Sequence, residues 1–262
     1  MPGSLRARVE TEGIHPDVVE AVTRDIHHDT LAGSADLDGE NFTRIHTRDL
    51  ERLFDQYDQR FFDGQVRPAL AGSPLYFRLS SRLTRAAGKT TRFRRGASPG
   101  AVSYEISVST TLLFQCFGGD DHRPISVTGR PCADRLAALQ RVMEHELVHL
   151  VELLVWTRSS CRARRFQSIA ERFFAHRAHT HDLITPAEQA HARFGVRPGA
   201  RVRFRLEGAE HEGVVNRVTR RATVLVPDSS GRPFSDGRRY LTFYVPVDLL
   251  EVIDRKDPAG SP

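Results

Sequence analysis

Between residues 133 and 156, apolar side chains recur close to every 3.6 positions, at Leu136, Leu139, Met143, Leu147, Leu150 and Leu154. That spacing predicts one long helix, and no other stretch constrains the fold as tightly. Inside it lies HELVH, with His145, Glu146 and His149. Histidines at i and i+4 stand one turn apart on one helix face, where both imidazoles reach a single Zn²⁺ at about 2.0–2.1 Å. The glutamate after the first histidine stands beside such a metal. It can take a proton from bound water and pass it to a leaving amine. Zinc lowers the pKa of that water to about 7, so a nucleophile is available at neutral pH. The motif therefore predicts a zinc cofactor with Glu146 as the catalytic base of a metallopeptidase.

A catalytic zinc of this kind takes three protein ligands and leaves one position for water. The candidates for the third are Cys161, His176, His179 and His181. On a continuous helix Cys161 and His176 would lie about 22 Å apart, so they cannot share one metal. Cys161 follows a short loop that can double back. The histidines of FFAHRAHTHDL lie where polar groups satisfy the carbonyls of a helix end, a reading that suits His179 best.

Around this helix the pattern predicts an α+β chain. Residues 1–45 hold nine acids against four arginines and read as a flexible acidic lead-in, with one short helix near 16–27. TRDLERLFDQYDQRFF (47–62) has helical spacing and stops at Asp63-Gly64. Strands are expected at 75–80, 86–94 and 102–108, forming a small antiparallel sheet. Residues 115–132 are rich in glycine and proline and read as a loop. Ser159 or Ser160 is placed to cap a second helix over 161–176, and 186–193 suits a short third one. After Gly195 short alternating strands separated by Gly, Pro and Asp predict a small β-barrel of SH3-like size over 196–254, with a tail at 255–262. The peptidase domain is accordingly expected at 46–195.

The charge adds a second theme. The chain carries a net charge of +5, and all but two of its 38 basic residues (Lys89 and Lys256) are arginines, whose planar forks suit phosphate. Residues 67–95 contain seven arginines and Lys89 with no acid, and 158–177 contain six arginines against Glu171. Such clusters can contact phosphates, which makes DNA an expected partner beside a protein substrate. The candidate contacts are Arg82, Arg85, Lys89, Arg92, Arg94 and Arg95. AGKT (87–90) is not a phosphate loop, because the first glycine of that motif would fall at Leu83. No run is long and apolar enough for a membrane span, and the N-terminus lacks the apolar core of a secretory signal. Three cysteines cannot build a disulfide framework. A bacterial-type cytoplasm, or association with the nucleoid, is the expected location.

Over residues 47–183 the chain resembles the SprT-like family of zinc metallopeptidases. DLERLFDQYDQRFFDGQV is similar to the family's opening helix and aromatic-Phe-Asp-Gly turn. SSRLTRAAGKTTRF is similar to its basic strand pair around a glycine, here Gly88. YEISVSTTLL resembles the strand that leads to the helix before the metal, HELVHLVELLV the metal helix itself, and RRFQSIAERFF the following helix with its aromatic anchor, Phe166. The resemblance implies cleavage of DNA-bound proteins, including DNA–protein crosslinks. It also implies a third histidine a few residues before the aromatic, and there the chain departs. Arg162 occupies that place and cannot bind zinc, so its neighbour Cys161 becomes the expected ligand. The C-terminal part departs as well, since it has no CxxC pair for the family's zinc ribbon and resembles an SH3 or KOW module instead.

Overall fold

The computed structural model describes residues 4–94, 102–118 and 123–253. It is a mixed α+β chain of two compact units, Met1–Leu183 and Ile184–Pro262. No described helix is long and apolar enough to cross a membrane.

The first unit begins with α1 (Leu5–Thr11) and α2 (Pro16–Gly33). The flexible lead-in expected here is corrected. Val19, Thr23, Ile26 and Thr30 form one buried stripe on α2, which carries the helix past the expected end at 27. Leu5 and Val9 bury α1, and Arg172 donates hydrogen bonds to the carbonyls of Val9 and Glu12. Acidic composition therefore masked an apolar stripe. Next comes α3 (Thr47–Phe62), entered through a capping box of His46 and Asp49 and stopped where Asp63 turns left-handed at φ 53°. The short α4 (Val66–Ala69) follows.

A three-stranded sheet contains β1 (Leu75–Ser80), β2 (Gly88–Arg94) and β3 (Val102–Ser109) in the order β1-β3-β2. It is mixed rather than antiparallel, because β3 pairs antiparallel with β2 but parallel with β1. The strand buried at most positions, β3, takes the centre, which leaves β1 and β2 as edges. The expected loop at 115–132 contains the end of α5 (Thr110–Gln115) and a tight hairpin of β4 (Ser126–Val127) and β5 (Arg130–Pro131).

The long helix is α6 (Arg135–Trp156), N-capped by the Asp134 carboxylate, and α7 (Arg164–Phe174) follows a seven-residue connection. The apolar positions read from the sequence, Leu136 to Leu150, are buried where α6 packs against β2, α3 and α7. The expected serine cap of α7 is corrected: Ala163 occupies the N-cap and no side chain caps it.

The second unit holds α8 (Pro186–Phe194), β6 (Arg201–Leu206), β7 (Ala209–Val218), β8 (Ala222–Pro233), β9 (Arg239–Val245) and β10 (Glu251–Val252). The boundary between the units falls at 183/184, upstream of the change in sequence character at 196, because Ala190 of α8 joins Val196, Val202, Phe204, Val215 and Val224 in one buried cluster. The strands form one antiparallel sheet, ordered β10-β6-β7-β8-β9. The closed barrel expected here is corrected to an open sheet. No ladder joins β9 to β10 among the described residues, since β10 is only two residues long and pairs with β6.

Candidate metal centre

One turn of α6 separates His145 from His149, and the connection after α6 doubles back to bring Cys161 to the same place. Thr157 makes the reversal by adopting a left-handed conformation at φ 59°. The ligand atoms of His145, His149 and Cys161 all lie within 4.8 Å of one another. Phe166, fully buried on the first turn of α7, packs beneath both imidazoles, with ring centroids 4.8 Å from His145 and 4.5 Å from His149. Burial pushes the His145 pKa down to about 2, helped by the neighbouring histidines, and His149 down to about 4. Both rings are therefore neutral near pH 7 and hold lone pairs free to bind a metal. Two imidazoles and a thiol are a borderline-soft donor set suited to zinc.

Glu146 points to β2, the edge strand beside the helix. Thr90 sits against it, its hydroxyl 2.7 Å from a Glu146 carboxylate oxygen and 2.9 Å from the Glu146 carbonyl. Gly88 makes room for this arrangement. A Cβ there would lie 2.6 Å from Glu146 Oε1 and 2.7 Å from Cγ. Burial raises the Glu146 pKa to about 7 against the opposing hydrogen bonds from Thr90. A carboxyl tuned to that range suits proton transfer at neutral pH.

These residues lie on a cleft of about 610 Å³. One wall is β2, from Gly88 to Arg92, whose outer edge pairs with no strand among the described residues. The other is the 179–181 segment, held to the β4–β5 turn by a bridge between Val127 and His181 and by Thr128 N–H on the Thr180 carbonyl. No protein-family model, curated protein or solved structure matches the chain.

The remaining histidine candidates stand outside the donor group, although His179 and His181 line the cleft. His176 is buried away from the cleft, and its Nε2 lies 2.9 Å from Glu144 Oε2. His181 Nε2 donates to the Arg85 carbonyl at 2.8 Å, and its Nδ1 accepts from the Leu183 amide. His179 lines the cleft but does not join the donor group. Of the basic candidates, Lys89 and Arg92 line the cleft, and Arg82, Arg85 and Arg94 are exposed. Arg95 lies outside the described residues. Arg67 and Arg78 are neutralised by acidic partners, whereas no ion pair to a described residue engages Arg82, Arg85, Lys89, Arg92 or Arg94. Within 158–177, Arg165 is paired with Glu152 and Arg172 is tied to α1.

Sequence reasoning missed the polar groups that brace the helix. Behind α6, Tyr57 donates to Glu144 at 2.8 Å, Arg141 bonds both Glu144 oxygens, and Gln140 bridges Tyr57 to the Thr23 carbonyl. Burial opposes a charge on Glu144, but Arg141 and His176 outweigh it and hold the carboxyl below its usual range. Beside the donor group, Ser159 joins His149 to the buried Glu152. A signal existed for Glu152: it is a lone acid in the apolar run LVELLVW, where a charge is placed only with partners.

Proposed function

We propose that this chain is a zinc-dependent endopeptidase of SprT-like type, in which His145, His149 and Cys161 hold the metal and Glu146 is the general base. The observation that carries this reading is the convergence of three donor atoms and one buried carboxyl of raised pKa on the floor of a single cleft. Zinc bound there would polarise the scissile carbonyl and acidify a water molecule. Glu146 takes the proton and delivers it to the leaving amine, while Thr90 holds its carboxyl in place. The outer edge of β2, which pairs with no strand among the described residues, offers backbone donors and acceptors along the cleft, which suits an extended polypeptide better than a small molecule. A structural zinc centre is closed by four ligands, whereas the donor group among the described residues has three. Protein purified without chelator is expected to hold zinc stoichiometrically, and a chelator is expected to remove both zinc and cleavage. Elemental analysis showing no zinc would overturn the proposal.

The cations near the cleft that pair with no described acid support DNA-associated proteins as the substrate class. The attraction would be electrostatic and without sequence preference. Reversing Arg82 and Arg94 together is expected to weaken DNA binding equally across sequences and to lower the salt slope by about 1 for each phosphate that is no longer neutralised. Salt-titrated binding that is unchanged in this variant would remove the segment from the interface.

A further inference from the structure

The connection between α6 and α7 carries Cys161, and one buried carboxylate bonds two of its residues. Glu152 lies on α6 three residues after His149, and its side chain is fully buried. Its Oε2 accepts from the Ser159 hydroxyl at 2.7 Å and from the Ser160 amide at 3.3 Å. Its Oε1 accepts from Arg165 Nε at 2.6 Å. Arg165 also donates to the Arg158 carbonyl at 3.1 Å and stacks on Trp156 with its guanidinium carbon 4.2 Å from the ring centroid. One carboxylate therefore ties together the end of α6, the connection and the start of α7.

The same carboxylate orients His149. The Ser159 proton is committed to Glu152, so the Ser159 oxygen is left as an acceptor for His149 Nδ1, 2.6 Å away. Nδ1 must then carry the ring proton, which leaves Nε2 bare for the metal.

We propose that Glu152 is the positioning residue of the metal centre, setting the His149 tautomer and bringing Cys161 to the two histidines. This rests on the zinc reading above. Three donors converge on Glu152, and an ionised carboxylate only accepts. A glutamine there keeps the shape but has to turn its amide hydrogens toward one set of donors. If they face Ser159, its hydroxyl is driven to donate to His149 Nδ1, and the proton moves to Nε2, where it blocks the metal.

The test uses the full chain loaded with Co²⁺, alongside zinc affinity measured by competition with a chromophoric chelator. The native protein is expected to show a thiolate-to-cobalt charge-transfer band, which Cys161→Ser abolishes. In Glu152→Gln that band is expected to weaken, and zinc affinity to fall by about 10- to 100-fold. Ser159→Ala leaves the Glu152–Arg165 pair intact, so it provides a second variant should the first not fold. It is expected to retain the band and to lose zinc affinity by about tenfold, the lower end of that range. Native affinity in whichever of these variants folds would overturn the role of Glu152 while leaving the zinc reading standing. A native protein that binds neither cobalt nor zinc would overturn both.

Discussion

Glu146→Gln is expected to retain zinc and to cleave an unfolded protein substrate about 10² to 10⁴ times more slowly than the native chain. Glutamine keeps the length of the side chain and an oxygen that can accept from the Thr90 hydroxyl. The packing against Gly88 is also preserved, because the amide nitrogen occupies the volume of a carboxylate oxygen. What disappears is the capacity to accept a proton. Zinc content and turnover should be measured on the same preparation. Cleavage at the native rate by a zinc-loaded variant would show that another group is the base.

Gly88→Ala is expected to retain the fold and the zinc but to lose about 10²-fold in kcat/KM, the scale of a misplacement near 1 Å. The backbone is not the obstacle, since Gly88 has no positive φ. The obstacle is Glu146, whose carboxyl carbon would lie 2.9 Å from the new methyl. A surface glutamate would swing aside at little cost. This one is buried between helix and strand, and any movement breaks its bond to Thr90. Thr90→Val removes that bond without the collision and is expected to show a smaller loss. A Gly88→Ala protein as active as the native chain would mean that Glu146 has room to move, and that β2 does not position it.

Legibility in the sequence followed the range of the interactions. The span of α3 and most of α6 could be read from spacing because both bury a stripe of side chains recurring along their own axes. Strand β1 was legible for the same reason, as alternation is a local property. The order β1-β3-β2 was not, because it depends on which strand the rest of the unit covers. The barrel expected after residue 196 failed on a similar point. Alternating strands specify a sheet, but closure needs two long edges that meet, and β10 is too short to provide one.

At the candidate site, spacing alone was enough to put His145 and His149 on one helix face with Glu146 beside that face, since helical geometry sets all three. The choice among Cys161, His176, His179 and His181 was different. Their order along the chain says nothing about which of them turns back to α6. The packed fold brings Cys161 to the two histidines through a left-handed Thr157 and a connection gathered around Glu152, while a buried Glu144 holds His176 away from the cleft. Each of these acts between groups distant in sequence or through a backbone reversal, so no periodicity records them. The environment of Glu146 belongs to the same class: the strand that raises its pKa by burying it lies more than fifty residues upstream.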